Sequence, residues 1–320
     1  MKKLFAYMVA LLFLFSVLPV SGPAEEAKLK IVTTIFPIYD WVRETAAGCE
    51  NADITMLLDS GVDLHSFQPT AADIMKIATC DVFIYVGGES DEWAEDALAE
   101  AVNPGMIVIN LIDVLGENAK AEETVEGMEE GEEDEEGGKE ETEIDEHVWL
   151  SLRNAGIFVS AFAGALGEAD PVRAGNYAAN AEAYKAKLAD LDAKYRETVE
   201  TAAYRTLLFG DRFPFRYLTD DYGLSYYAAF AGCSAETEAS FETVLFLAKK
   251  ADELRLPAVM TIEGTKHRIA ETVVSSTTEK NQKILTLDSM QGITAGDVQK
   301  GVSYLQIMEE NLAVLKEALN

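Results

Sequence analysis

The sequence predicts an α/β protein with two lobes of (βα)4 type, each built on a mainly parallel sheet, joined by one long bracing helix. Short apolar runs rich in β-branched residues alternate with helical patterns, which is typical of βα units. This alternation occurs once in the first half of the chain and again in the last third. An uninterrupted helical pattern separates the two sets, which therefore form two similar lobes.

The eight predicted strands fall into two groups of four. The first group is LKIVTTI at 29–35, ADITMLL at 52–58, DVFIYVG at 81–87 and MIVINL at 106–111. The second group is TLLFGD at 206–211, LSYYAAF at 224–230, AVMTIEG at 258–264 and KILTLDS at 283–289. Helical stretches such as PTAADIMKIA at 69–78 follow the strands. We expect an N-terminal lobe over residues 25–169 and a C-terminal lobe over residues 204–320.

Residues 170–203 are predicted to form the linking helix. Asp170 and Pro171 suit an N-cap and a first helical turn. Apolar side chains then recur at three- and four-residue spacing, namely Tyr177, Ala181, Tyr184, Leu188 and Leu191. A helix of ~30 residues spans about 45 Å, enough to brace two lobes stiffly. A coiled-coil arm is the alternative, although neighbouring heptad repeats are missing.

Residues 1–24 are predicted to be a signal peptide. Two lysines precede an apolar run over residues 4–20, and the small residues Gly22 and Ala24 follow it. The run is shorter than the roughly 20 apolar residues of a membrane span, which favours cleavage over anchoring. No cysteine lies near this junction to accept a lipid. We expect an exported chain, periplasmic or associated with the cell surface.

The formal net charge of −30 excludes nucleic acid as a plausible partner and favours cations. Much of this charge lies in residues 117–146, where sixteen Asp and Glu accompany two Lys. This segment has almost no apolar residues and is predicted to be a disordered acidic loop inserted in the first lobe. It is either a solubilising insertion or a weak collector of cations.

Three cysteines, Cys49, Cys80 and Cys233, are too few for a disulfide scaffold. Cys49 and Cys80 each precede a predicted strand in the first half, so a disulfide between them is one hypothesis. Independent buried thiols are the other.

The three histidines occupy related positions. His65 lies in GVDLHSFQPT after the second predicted strand, and His147 lies in DEHVWLSL at the end of the acidic segment. His267 follows the strand that ends near Glu263. Ligands of open α/β sheets bind at the carboxyl ends of the strands, so these connections are expected to converge in the cleft between the lobes.

The segments DLHSFQPT and DEHVWLSL resemble the first two ligand motifs of a known family, usually Pro-His-Ser-Tyr/Phe-Glu-Pro-Thr and Asp-Pro-His-Ile/Val-Trp-Leu. This family is the cluster A-I, or zinc-uptake-type, solute-binding proteins of zinc and manganese ABC importers. The resemblance covers the whole mature chain. It implies a monomeric extracytoplasmic receptor, not an enzyme, that captures a divalent metal and delivers it to an ABC permease.

The second lobe departs from the family pattern. FGDRFPFRYL stands where the family has a motif of the form His-Asp-Ala-Phe-Gly-Tyr, so Gly210 offers no ligand while the adjacent Asp211 does. Glu263 resembles the strand-end Glu of a motif like Glu-Ser-Ser-Val-Asp, and His267 lies near its ligating Asp. The resemblance therefore implies a metal site of His65, His147, His267 and Asp211. Glu263 is a further ligand or a partner of a ligand histidine.

Three imidazoles and one carboxylate suit tetrahedral Zn²⁺, whereas Mn²⁺ sites prefer more oxygen ligands. We expect Zn²⁺, with Mn²⁺ as the alternative. A secreted zinc hydrolase is a rival of a different class, but the sequence has no His-Glu-x-x-His motif and no evident general base beside the histidines. An adhesive exported protein with incidental histidines is a third hypothesis.

Overall fold

The computed structural model of the protein describes residues 28–129, 143–234, 238–264 and 266–320. The expected signal peptide therefore lies outside the described residues. Residues 130–142 of the expected acidic loop lie outside them as well. The strands are β1 Leu29–Thr33, β2 Ala52–Met56, β3 Val82–Tyr85, β4 Ile107–Asn110, β5 Thr206–Phe213, β6 Ser225–Ala231, β7 Ala258–Ile262 and β8 Lys283–Leu287.

The α-helices alternate with these strands. They are α1 Phe36–Thr45, α2 Ala71–Ala78, α3 Trp93–Ala99, α4 Leu111–Leu115, α5 Leu152–Ala169, α6 Ala174–Glu200, α7 Arg216–Tyr222, α8 Phe241–Leu254, α9 Arg268–Ser276, α10 Ala295–Gln299 and α11 Tyr304–Ala318. Within the described ranges, none of them combines the length and the apolar character that crossing a membrane requires.

The strands form two parallel sheets with the same topology. The order is β2-β1-β3-β4 in the first lobe and β6-β5-β7-β8 in the second. Ile31 of β1 lies between Ile54 of β2 and Val82 of β3. In the second sheet Phe209 of β5 pairs with both β6 and β7. The predicted α/β fold of two similar parallel-sheet lobes is confirmed.

Burial explains why the strand segments are almost uniformly apolar. Val82, Phe83 and Ile84 of β3 are fully buried, and all five residues of β7 are buried. Parallel sheets are covered by helices on both faces, so neither face of a central strand needs polar side chains. Each sheet therefore presents its carboxyl-end connections, rather than a face, to a ligand.

Helix α6 is the long helix that the sequence predicts, and its 27 residues span about 40 Å. Every member of the predicted apolar stripe is buried. The helix begins at Ala174 and not at Asp170, because Asp170 ends α5 and accepts a hydrogen bond from Tyr177. Asn180 of α6 donates to Thr45 in the first lobe, and Tyr195 donates to Met308 in the second. The helix thus braces both lobes.

The two lobes also contact each other directly beside the cleft. The indole of Trp149 donates to the carbonyl of Ser289 with an N–O distance of 2.8 Å. The hydroxyl of Tyr304 donates to the carbonyl of Trp149 at the same distance. These side chains are fully buried, so the interface next to His147 is closed to solvent.

The flanks of the acidic segment differ from the expected disordered loop. The backbone amide of Glu122 donates to the carbonyl of Glu143, which pairs the two flanks. Met128 is buried, and the amide of Glu129 donates to Ala229 of the edge strand β6. The flanks fold because they pair with each other and cover an open sheet edge, which a composition-based argument does not detect.

The cysteines are free thiols. Cys49 and Cys80 are both buried, and Cys80 lies 3.5 Å from the sulfur of Met106. The hypothesis of independent buried thiols therefore holds for this pair, and the disulfide between them does not form.

Candidate metal site

Polar contacts hold both the backbone and the imidazole ring of His65. It lies in a short 3₁₀ turn, Leu64–Ser66, that begins at Asp63, and Asp63 Oδ1 accepts from the backbone amide of His65 at 3.0 Å. The ring Nδ1 lies 2.7 Å from Ser90 Oγ and 3.4 Å from Glu146 Oε2. Nε2, on the opposite side of the ring, faces His147 and lies 3.9 Å from Asp63 Oδ1.

His147 is fully buried and is oriented by Asp145. Asp145 Oδ1 accepts from the backbone amide of His147 at 2.8 Å and lies 3.0 Å from its ring Nδ1. Because a carboxylate only accepts hydrogen bonds, we assign the ring hydrogen to Nδ1. His147 Nε2 then presents a lone pair to the cleft, which is the tautomer that binds a metal through Nε2.

The two Nε2 atoms lie 3.3 Å apart. Two Zn–N bonds of about 2.0–2.1 Å at a tetrahedral angle separate their nitrogens by roughly 3.3 Å. When both rings carry their hydrogen on Nδ1, two lone pairs face each other at this distance, and a cation between them would remove the repulsion. The spacing therefore fits two ligands of one tetrahedral ion.

Cys233 of the second lobe completes the cluster. One ligand atom each from His65, His147 and Cys233 lies within 4.8 Å of the others, and this is the one such group of three or more found in the described ranges. A β-carbon on the preceding Gly232 would lie 2.9 Å from His147 Cε1, so glycine allows this close approach. The cluster thus draws on both lobes and supplies two imidazoles and one thiol.

Cys233 is a thiol that becomes a metal ligand only when the ion displaces its proton. Burial raises the pKa of the Cys233 thiol, and the carboxylates of Glu122, Asp145 and Glu146 raise it further. The metal-free thiol is therefore neutral. A bound dication displaces the thiol proton, because metal ligation requires the thiolate.

Sequence analysis missed Cys233, although a signal for it exists. Cys233 lies two residues after β6, at the carboxyl edge of the second sheet. The positional argument that singled out the three histidines applies equally to a thiol at such a strand end.

Asp211 and His267 are not members of this cluster. The β5–β6 pairing is irregular between Phe209 and Arg212, and Asp211 lies within the irregularity. Its two carboxylate oxygens accept from the backbone amides of Arg212 and Ile262. His267 precedes α9 with a left-handed backbone (φ 51°). The metal-ligand roles predicted for Asp211 and His267 stay predictions.

Glu263 organises the loop after β8. Its carboxylate accepts from the backbone amides of Ser289 and Gln291 and from the Ser289 hydroxyl, with distances of 2.7 to 3.2 Å. Ser289 in turn contacts Trp149, two residues from His147. Glu263 therefore supports the interface beside the cluster, and its predicted part in metal binding also stays a prediction.

An acidic cleft of about 410 Å³ opens onto the cluster. His65 and Cys233 form part of its lining, together with the carboxylates of Glu89, Glu92, Glu143 and Glu146. The neighbouring Glu143 and, after it, burial raise the pKa of Glu89, which shows how closely the negative charges are packed. A cleft of this charge concentrates cations next to the histidines.

Comparison with known sequences identifies the family and several relatives of this chain. A sequence profile for the family described as "Zinc-uptake complex component A periplasmic" matches residues 31–318. The zinc-binding protein AdcA of Streptococcus pyogenes serotype M3 is 26% identical over 325 residues, which cover 99% of this chain. The chain spans only 61% of that relative's length. The high-affinity zinc uptake system protein ZnuA of Bacillus subtilis is 29% identical, with 93% of this chain and 90% of the relative covered.

Solved structures share the two-lobe architecture. The metal-dependent lipoprotein YcdH of Bacillus subtilis has a TM-score of 0.73 at 28% identity and covers 91% of this chain and 99% of its own. The Zn(II)-bound ZnuA-like domain of Streptococcus pneumoniae AdcA has a TM-score of 0.71 at 26% identity, with 92% and 99% covered.

Proposed function

Because the chain belongs to the family of periplasmic zinc-uptake complex component A proteins, we propose that it is an extracytoplasmic solute-binding protein that captures Zn²⁺ between its lobes. The bound ion is then delivered to an ABC permease. Relatives and structural neighbours named for zinc binding support this proposal. The acidic cleft that leads to the cluster gives it a physical basis, since it attracts the cation that the receptor must capture.

The observation that carries the proposal is the 3.3 Å separation of the two Nε2 atoms, with the thiol of Cys233 in the same cluster. Two imidazoles and one thiolate form a borderline-to-soft ligand set that suits zinc, whereas manganese prefers carboxylate, carbonyl and water oxygens. We therefore favour Zn²⁺ over Mn²⁺. His65, His147 and Cys233 are the proposed ligands.

A fourth ligand completes a tetrahedral ion. Asp211 and His267 are the candidates that the sequence offers in the second lobe. Coordination by Asp211 would compete with the hydrogen bonds that its oxygens accept from two backbone amides. If neither residue coordinates the ion, a water molecule from the acidic cleft would be its fourth ligand.

We also propose that the chain binds its cargo without chemical conversion and acts as a monomer. A zinc hydrolase places a general base beside the metal-bound water. Here Asp145 and Glu146 face the Nδ1 atoms on the far side of the rings. Asp63 Oδ1 lies 3.9 Å from His65 Nε2, but this carboxylate is held by the backbone amide of His65 and by Arg212. These positions suit orientation of the ligands rather than activation of water at the metal.

Metal analysis of the purified chain tests the proposal. Chelator-stripped protein should take up one Zn²⁺ per chain, hold it against a competing chelator, and bind Mn²⁺ much more weakly. His147→Ala should lower the Zn²⁺ affinity by at least a hundredfold, while Lys249→Ala on the exposed surface of α8 leaves it unchanged. Substoichiometric Zn²⁺, or equal affinity in His147→Ala, contradicts the proposed function.

A further inference from the structure

Glu146 is adjacent to His147 in sequence, but its side chain contacts the other histidine. Glu146 Oε2 lies 3.4 Å from Nδ1 of His65, and Oε1 accepts from the backbone amide of Ser90 at 2.8 Å. The side chain is only 3% exposed. Asp145 and Glu146 therefore direct two consecutive carboxylates to two different histidine rings.

From this geometry we infer that Glu146 is a positioning residue that sets the tautomer and orientation of His65 for zinc binding. The inference rests on the proposed function and deepens it, because it adds a residue that determines affinity without touching the ion. Glu146 itself is not a member of the ligand cluster.

The environment of Glu146 is built to hold a carboxylate. Its Oε2 atom is buried, and among the described residues no hydrogen bond within ordinary limits satisfies it. His65 Nδ1 lies 3.4 Å from this oxygen and also contacts Ser90 Oγ at 2.7 Å. An unsatisfied buried oxygen is costly, so a ring hydrogen on His65 Nδ1 that approaches Oε2 is strongly favoured.

Gly88 provides the space for this side chain. Its backbone has a φ of 83°, and a β-carbon built on Gly88 would overlap the carboxylate of Glu146. Glycine is therefore required at this position for both its backbone conformation and its lack of a side chain. Gly88 thus leaves room for the Glu146 carboxylate, and the backbone amide of Ser90 holds its Oε1 atom.

A hydrogen on Nδ1 leaves the Nε2 lone pair of His65 facing the Nε2 of His147. A carboxylate behind a ligand histidine also makes the imidazole a stronger donor to the metal. The arrangement then repeats on His65 what Asp145 does for His147. Both rings are preset as Nε2 ligands before an ion arrives.

Glu146→Gln tests this role with little change in shape. The amide oxygen should remain on the Ser90 backbone amide, which places the side-chain NH₂ group against His65 Nδ1. An NH₂ group only donates, so the carboxylate that accepted from Nδ1 is lost. Nδ1 should then accept from the NH₂ group and from the Ser90 hydroxyl 2.7 Å away, and the ring hydrogen should move to Nε2, where it blocks the metal. We expect the Zn²⁺ affinity, measured by chelator competition, to fall about 10- to 100-fold.

Glu143→Gln is the matched control. Glu143 lines the same cleft and is exposed, so its substitution removes the same charge without removing a contact to His65. Its Zn²⁺ affinity should fall several-fold less than that of Glu146→Gln, because exposed charges are screened. Equal losses in Glu146→Gln and Glu143→Gln would show that only the charge of the cleft matters and would overturn the inference.

Imidazole ¹⁵N NMR of the metal-free proteins gives a second readout that does not depend on zinc. His65 should be the Nδ1–H tautomer in the unaltered chain and the Nε2–H tautomer in Glu146→Gln. An unchanged tautomer overturns the inference even if affinity falls. If the unaltered chain binds no zinc, the proposed function fails, and the NMR comparison alone decides whether Glu146 positions His65.

Gly88→Ala provides an independent variant, since it displaces Glu146 without altering any titratable group. It should reproduce the zinc defect of Glu146→Gln. Thermal unfolding of each metal-free variant identifies any that fails to fold, and the comparison is restricted to the folded ones. A folded Gly88→Ala protein with full Zn²⁺ affinity contradicts the proposed role.

Discussion

Arg212 of the second lobe donates to Asp63 of the first, with 2.7 Å between Nη2 and Oδ2. The other oxygen of Asp63 accepts from the backbone amide of His65, and Arg212 Nη1 donates to the carbonyl of Ser234. Although burial raises the pKa of Asp63, the bonds from Arg212 outweigh it and hold the pKa below its ordinary value. One ion pair therefore connects the segments that carry His65 and Cys233.

A double-mutant cycle of Arg212→Gln and Asp63→Asn should show this connection as a coupling energy of about 1–2 kcal/mol in the unfolding of the metal-free protein. Both side chains are mostly shielded, with exposures of 20% and 24%, so water screens the pair only partly. Urea unfolding of the four proteins gives the value.

The control cycle is the exposed pair Lys249 and Glu253 on α8, with exposures of 74% and 49%. Exposed i,i+4 pairs contribute about 0.3–0.5 kcal/mol, so its coupling should be clearly smaller. Equal coupling energies in the two cycles would mean that the Arg212–Asp63 pair does not tie the lobes together.

Cys233→Ser should lower the Zn²⁺ affinity at least tenfold, because serine replaces a thiolate by a hydroxyl that binds zinc poorly at neutral pH. Cobalt substitution provides direct evidence of the bond. The Co²⁺-loaded chain should show a thiolate-to-metal charge-transfer band that Cys233→Ser abolishes.

Cys49→Ser is the control for thiol removal, since Cys49 is a free buried cysteine outside the ligand cluster. Its cobalt spectrum should match that of the unaltered chain. A Co²⁺ complex without a thiolate band would remove Cys233 from the ligand set.

His267→Ala distinguishes the ligand set predicted from the sequence, which includes His267, from the cluster in the structure, which includes Cys233 instead. If His65, His147 and Cys233 hold the ion, His267→Ala should change the Zn²⁺ affinity by less than about threefold. If His267 supplies the third nitrogen, the loss should instead resemble that of His147→Ala and affect Zn²⁺ far more than Mn²⁺. Chelator competition at neutral pH with both metals distinguishes the two outcomes.

Asp40 should make stability depend on pH. It is fully buried in α1 and accepts from Arg43 and from the backbone amide of Tyr304. Burial raises its pKa from 3.8 to about 6 despite these partners. Between these two values the folded state binds the proton and the unfolded state does not, so this contribution to stability is present below pH ~4 and is lost as the pH rises through about 6.

The free energy of unfolding of the unaltered chain relative to Asp40→Asn should therefore fall by about 2–3 kcal/mol between pH 4 and pH 7. Urea unfolding at several pH values in the presence of a chelator measures this difference. A difference between Asp40→Asn and the unaltered chain that is constant with pH would contradict a raised pKa.

The sequence by itself determined the strands, the parallel sheets and the long helix. Each strand run is apolar enough to be buried on both faces, and the stripe from Tyr177 to Leu191 has the period of one helix face. These features depend on residues close together in the chain. The pairing of His65 with His147 was also predicted, because both lie where the fold directs ligand-binding connections to the cleft.

Only the tertiary structure decided which second-lobe side chain joins the histidines. The irregularity in β5 turns Asp211 toward backbone amides, and Gly232 allows the turn after β6 to bring Cys233 against His147. The tertiary structure also decided that the flanks of the acidic segment are ordered, because Glu129 bonds to Ala229 on the edge strand β6. Such outcomes depend on contacts between distant segments, where displacements of an ångström or two decide which atoms meet, and local sequence patterns do not encode them.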